Sequence, residues 1–193
     1  MKRLMLWPVL LAALMLAGCG QKVHWYGTDI TGVMPPLKFA MTRATDGAGV
    51  TAKDYRGKVA LLYFGYTNCP DVCPLTLSNL AAALGKLGEK AKDVSVLFVT
   101  VDPDRDTLPV LKKYAAAFAP QVVGLRGSKD AIAALARRYR VAYNVTPASP
   151  GHPYTVSHSA AVFFFDPEGK ARAVVLDTSD IKGVAGDMRQ LLP

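Results

Sequence analysis

The chain has 193 residues, of which 51% are hydrophobic and 20% charged; that is enough apolar material for one packed domain and excludes a disordered chain. Its formal net charge is +8, from 23 Lys and Arg against 15 Asp and Glu, and two of the positives, Lys2 and Arg3, sit in a terminus that processing would remove. The other basic residues, Lys86, Lys90, Lys92, Lys112 and Lys113 among them, fall on helix faces without interleaved aromatics, a pattern that suits anionic headgroups or an acidic partner and not nucleic acid.

Lys2 and Arg3 open a secretory leader whose apolar stretch, Leu4 to Met15, closes on Leu16-Ala17-Gly18-Cys19. This is the cleavage motif of a bacterial lipoprotein. The apolar run is interrupted by Pro8 and is shorter than the roughly 20 residues that span a bilayer. Residues 1–18 are therefore read as signal peptide and Cys19 as the lipidated first residue of the mature chain, which places the protein in the cell envelope, outside the cytoplasm. Two or more acyl chains give stable anchoring where one does not. Residues 19–34 are expected to form a membrane-proximal tether, and 35–193 the folded domain.

Along the domain, Leu37 to Met41 alternates like a short strand, after which Asp46-Gly47 signals a turn. Lys58 to Tyr66 is a near-continuous apolar run, as for a strand buried on both faces. Leu77, Leu80, Ala81, Leu84 and Leu87 then recur at helical spacing. Asp93 to Val101 reads as a second buried strand. Two helical patterns follow, one on Val110, Leu111, Tyr114 and Phe118, the other on Ile132, Leu135, Ala136 and Tyr139. Ala160 to Phe165 is a third buried strand, Asp166 to Gly169 a hairpin turn, Ala171 to Leu176 a fourth strand, and Ile181 to Leu192 a closing helix. The order βαβα(α)ββα predicts an α/β domain, a mixed central sheet flanked by helices.

The chemistry concentrates at Cys69 and Cys73, the two cysteines left once Cys19 is lipidated. They follow the first buried strand and precede its helix, at the edge where open α/β sheets place their sites. Pro74 suits a first helical turn, and a helix N-terminus favours thiolate there. Dithiol oxidoreductases of the thioredoxin type separate their cysteines by two residues; here three intervene. Such a loop can close a disulfide or clamp a soft ion, and thiolate pairs select copper(I), zinc or iron–sulfur centres. A third ligand would come from His24, His152 or His158, of which His158, just before a buried strand, is the strongest candidate.

Three motifs in order, Phe64-Gly65-Tyr66-Thr67-Asn68-Cys69-Pro70-Asp71-Val72-Cys73-Pro74, Val101-Asp102-Pro103-Asp104-Arg105-Asp106-Thr107 and His158-Ser159 with Asp166-Pro167-Glu168-Gly169, resemble the Sco/SenC family over roughly residues 34 to 192. The resemblance implies a thioredoxin-like fold and binding of copper(I) or copper(II) through Cys69, Cys73 and His158. It also implies a role in building the binuclear copper site of cytochrome c oxidase subunit II, with other copper chaperones or thiol–disulfide reductants as further partners. Asp102 matches the family's acidic motif and is either a supporting carboxylate near the metal or a helix N-terminal turn residue. Ser157 stands where members commonly carry aspartate, and Asn68 where a histidine is often seen.

Three other readings of the cysteine pair compete. A thiol–disulfide oxidoreductase would use it to reduce the oxidase subunit before metallation. A peroxidase on the same fold would need Thr67 and Arg105 arranged around one cysteine, and their spacing does not match. A purely structural disulfide across so short a loop would constrain the unfolded chain little.

Overall fold

The computed structural model describes residues 24–151 and 154–193; the leader, Cys19 and His152 lie outside them. In chain order the strands are β1 (Thr28–Asp29), β2 (Ala40–Arg43), β3 (Gly49–Thr51), β4 (Val59–Gly65), β5 (Val94–Thr100), β6 (Val122–Arg126), β7 (Tyr143–Thr146), β8 (Thr155–His158), β9 (Val162–Phe165) and β10 (Ala171–Val175). The helices are α1 (Val72–Gly85), α2 (Leu108–Ala116), α3 (Lys129–Arg138) and α4 (Ile181–Leu191). Eight strands form one mixed sheet in the order β1-β10-β9-β4-β5-β6-β2-β3, and β7 pairs with β8 in a separate ribbon.

β4 and β5 are buried at every residue, which is why their sequences do not alternate. They run parallel in unbroken register from Val59 opposite Val94 to Gly65 opposite Thr100, so both release the chain at one edge of the sheet. α1 is the crossover between them and α2 the crossover to β6, which is parallel to β5. β9 returns antiparallel on the other side of β4, with Tyr63 opposite Val162, and β10 and β1 complete that flank. Leu77, Leu80 and Leu84 of α1, Leu111 of α2, Ile132 and Leu135 of α3, and Val184 and Met188 of α4 fill the core around the strands. The expected mixed sheet flanked by helices is the architecture found.

Three features depart from the sequence expectations. β6 lies between the two helical patterns, where the sequence pattern predicts no strand. Its run of five residues includes Gly124, whose small size is needed because a Cβ there would meet Leu111 and Ala44 at 3.2 and 3.3 Å. The β7–β8 ribbon lies between Tyr139 and Ala160, where the sequence pattern predicts no strand, since its outer residues are polar and exposed; His158 is its last residue and does not lead directly into β9. Thirdly, residues 24–34, expected to belong to a tether, are docked on the domain. β1 pairs with β10, Ile30 is buried, and the Asp187 carboxylate on α4 accepts the Tyr26 and Gly27 amides, each at 2.9 Å.

Asp187 is 1% exposed, so removing its carboxylate leaves two amides short of partners. Asp187→Ala should lower the unfolding free energy by about 1–3 kcal/mol. Urea denaturation would measure this, and hydrogen exchange should show the loss of protection confined first to the Tyr26 and Gly27 amides.

Candidate metal centre

Cys69, Cys73 and His158 converge. Their Sγ and ring nitrogen atoms all lie within 4.8 Å of one another, although 85 residues separate Cys73 from His158. The strand-to-helix connection after β4 brings in the cysteines. α1 begins at Val72, so the Cys73 amide belongs to the first helical turn and has no partner within the helix. Asp71 at the cap position makes no side-chain capping bond; the Cys73 amide donates instead to Cys69 Sγ at 3.4 Å. One sulfur thus caps the helix that carries the other.

The loop holding Cys69 is tied down by Asp106, a residue for which sequence reasoning gave no role. Its wholly buried carboxylate accepts the Thr67 amide at 3.0 Å, the Thr67 hydroxyl at 2.6 Å and the Thr100 hydroxyl at 2.5 Å. Charge-assisted bonds of this kind are the stronger class, and here they connect the cysteine loop to the end of β5. The signal available in the sequence was the acidic Asp102-Pro103-Asp104-Arg105-Asp106 run, read at Asp102 and not at Asp106.

His158 comes from the other side, at the end of β8. Its Nδ1 lies 3.0 Å from the Ser159 carbonyl oxygen, which can only accept; the proton therefore belongs to Nδ1. Nε2 then presents a lone pair to Cys73 Sγ, 2.9 Å away. A ligand imidazole whose other nitrogen donates to a carbonyl is the arrangement that fixes tautomer and ring orientation. Burial lowers the His158 pKa, which favours the neutral, ligating form. Tyr63 and Tyr66 stand edge-on to the ring at 6.0 and 5.9 Å.

Burial acts on the sulfur as well. The Cys73 thiol has no exposed surface, and its pKa is pushed up to about 12, chiefly by desolvation. The expectation that the helix N-terminus would lower it fails at Cys73, because loss of solvation outweighs the helix field. Its proton is held until a cation replaces it. The space for the sulfur is set by Gly65: a Cβ at that position would lie 2.8 Å from Cys73 Sγ and 2.6 Å from Phe98 Cε2.

The remaining candidates fall elsewhere. Asp102 is buried, but its carboxylate is committed to an ion pair with Arg105 and accepts the Tyr154 hydroxyl at 3.3 Å; it is not one of the converging groups. Arg105 lies over the Tyr154 ring at 4.1 Å and near Tyr66 at 5.7 Å, so Asp102 touches the wall of the site only through it. Thr67 gives its hydroxyl to Asp106 and Arg105 is held by Asp102, which leaves no peroxidase-like pair at a cysteine. Asn68 and Ser157 are exposed. On this backbone a carboxylate at 157 would project to solvent, whereas Val156 and His158 face inward. His24 is at the far end of the domain, where its carbonyl accepts from Gln190 of α4.

The SCO1/SenC family model matches residues 37–193, most of the chain. The chain belongs to the SCO1/SenC family. Among curated SCO1/SenC relatives, the mitochondrial SCO1 homolog 1 of Arabidopsis thaliana is 44% identical over 124 residues, 64% of this chain and 37% of that protein; the chain spans well under half of that relative's length. The structure of Bradyrhizobium japonicum ScoI with copper bound superposes with a TM-score of 0.74 at 34% identity, covering 81% of this chain and 99% of that one. Apo Sco1 from Thermus thermophilus superposes at 0.76 with 35% identity, covering 90% and 100%. These solved SCO1/SenC chains confirm the thioredoxin-like fold, and the first of them corresponds to the domain alone.

Two substitutions test how the centre is held. Asp106→Ala strands three buried donors and should cost about 2–4 kcal/mol, seen as a lower denaturation midpoint. Gly65→Ala overpacks the sulfur cradle and should cost about 1–3 kcal/mol. In the folded fraction of Gly65→Ala, metal affinity should fall as well, whereas an overpacked wall remote from the sulfur would leave affinity unchanged.

Proposed function

We propose that this chain is a copper carrier in which the Cys69 and Cys73 thiolates and neutral His158 hold copper(I). The cargo is delivered to the binuclear copper site of cytochrome c oxidase subunit II. The observation that carries this reading is the convergence of two sulfurs and an inward-facing Nε2 within 4.8 Å. Thiolates select soft ions, and a three-coordinate set of two sulfurs and one imidazole suits copper(I). Membership of the family and the copper-bound relative support the choice of copper over zinc.

The chain's own residues divide the work. Cys73, wholly buried, is the inner ligand and gives up its proton to the solvent side as the ion enters. Cys69, 9% exposed, and half-buried His158 form the outer side, where thiolates of the recipient can reach the ion and displace these ligands one at a time. A three-coordinate site leaves room for that incoming ligand. Lipidation of Cys19, with 1–18 removed as signal peptide, holds the domain at the extracytoplasmic face of a bacterial membrane. Among the described residues no helix is long and apolar enough to cross a membrane.

A second reading is favoured by one observation: both cysteines are free thiols, adjacent enough for one amide to bond the other's sulfur. Such a pair could reduce the subunit II cysteines before copper arrives. Anaerobic titration of the reduced protein with copper(I), followed by mixing with apo subunit II, separates the two. The carrier reading expects one copper per chain, complete loss in Cys69→Ala and Cys73→Ala, at least about tenfold weaker binding in His158→Ala, and copper transfer on mixing. Undiminished stoichiometry in the double cysteine variant would overturn it, and disulfide reduction without transfer would establish the oxidoreductase instead.

A further inference from the structure

The edge of the sheet opposite the cysteines carries a different chemistry. Lys58 precedes β4, Lys90 and Lys92 precede β5, Lys86 ends α1, and Arg189 lies in the last turn of α4. All five are exposed, and the parallel register of β4 and β5 puts their N-terminal ends side by side. Arg189 donates to the Lys86 carbonyl at 3.1 Å, which joins the two helix ends into the same face. Lys58 and Lys92 line a shallow hollow of about 470 Å³ together with Arg43 and Tyr55. The Tyr55 hydroxyl in that hollow is buried and has no hydrogen-bond partner.

The carboxylates on this edge do not cancel the lysines. Asp54, also lining the hollow, is occupied by the Thr51 amide and hydroxyl at 2.7 and 2.9 Å, and Asp46 is paired with Arg43. Glu89 and Asp93 remain against the five cations. The cysteine end shows no such excess: Asp71, Asp177 and Asp180 are exposed there with Lys182, Lys129 is paired with Asp104, and Arg105 with Asp102.

The chain leaves the described fold at this same end. His24 is bonded to Gln190, next to Arg189, and the five residues from Cys19 to His24 extend at most about 18 Å. We propose that the basic edge around Lys58, Lys86, Lys90, Lys92 and Arg189 docks on an anionic phospholipid surface, with a headgroup phosphate seated in the Lys58–Lys92 hollow. The reach of the tether rests on the reading of Cys19 as the anchor; the charge distribution does not. Docked this way, the cysteine end points away from the bilayer, and the domain is oriented as well as tethered. Attraction of basic residues to anionic headgroups acts within about a Debye length, roughly 10 Å at 0.1 M salt, and a short tether keeps the basic edge close enough to the bilayer to sample that range.

The test uses residues 24–193, which contain every strand and helix described and include the part of this chain matched by a solved ScoI chain that is itself covered to 99%. Lacking Cys19, this fragment separates lipid docking from lipidation, and its copper stoichiometry reports the metal site independently. Co-sedimentation with phosphatidylcholine vesicles should show little retention. Vesicles with 30 mol% (about one in three) phosphatidylglycerol should retain it, with loss as salt rises. Lys58→Glu, Lys90→Glu and Lys92→Glu combined should weaken retention at least about tenfold. The same charge change at Lys112, Lys113 and Lys182, which lie on α2 and at the start of α4, should alter it less than about twofold. Equal losses in the two triple variants overturn the proposal, since net charge alone would then be acting. So does absence of retention on phosphatidylglycerol vesicles by a fragment that binds polyglutamate, which would make the edge a protein-docking surface.

Discussion

Cys73 Sγ is enclosed by β4, β5, α1 and the β7–β8 ribbon, with no surface of its own open to solvent. Everything about the centre depends on that enclosure. The wall beside the sulfur can be this close only because residue 65 is glycine, whose missing Cβ leaves room between Phe98 and the sulfur. The same enclosure removes water from the thiol and raises its pKa to about 12, so at neutral pH the apo site is a neutral S–H facing the neutral imidazole Nε2 of His158. Cys73 thus places no standing negative charge in this enclosure. Charge enters only with a cation that displaces the proton, which avoids the cost of an unpaired buried thiolate.

Rigidity is distributed unevenly around the three donors. The cysteines are held by a helix terminus and by Asp106, whose three bonds reach the loop and β5. His158 rides on a two-stranded ribbon that shares no strand pairing with the main sheet. That ribbon is held from below by Tyr154, stacked on Arg105 and bonded to Asp102, and by the buried Val156. The acidic motif after β5 therefore has two separate jobs. Asp106 fixes the sulfurs, and Asp102 with Arg105 braces the arm that carries the imidazole.

The sequence was most legible where burial is two-sided. The runs of β4 and β5, the helical spacing of α1 and the position of Cys69 and Cys73 at a strand-to-helix junction all follow from apolar pattern and local turn chemistry. Elements with weak pattern were lost: β6 is short and contains Gly124, and the β7–β8 ribbon has exposed polar residues that resemble loop. The segment from Trp25 to Ile30 looked like tether because what holds it, the Asp187 carboxylate and the edge of β10, lies about 145 to 160 residues away in the chain. No local pattern encodes such a contact. His158 could be nominated from the sequence, but its approach to Cys73 across 85 residues was implied by family resemblance, not by spacing. Asp106 was missed because a buried carboxylate between two other aspartates looks like one more turn residue.

The parallel core also explains why the molecule has two chemically distinct ends. In a βαβ unit every strand leaves the sheet at one edge and every helix returns to the other. Loops at the first edge here supply the cysteines, Asp102 and Asp106; loops at the second have no such task and are free to carry lysine. The basic side chain at the wall of the site, Arg105, is neutralised by Asp102, and the lysine cluster lies at the far edge, where it does not oppose the entry of a cation. This arrangement leaves the far edge with a basic rim and the ligand edge with charges of both signs, two of the cations paired with aspartates. A domain polarised along its strands can be turned by any charged surface near its anchor, and turning it presents the ligand edge outward. Orientation and metal chemistry thus draw on the same topological fact, that β4 and β5 point the same way.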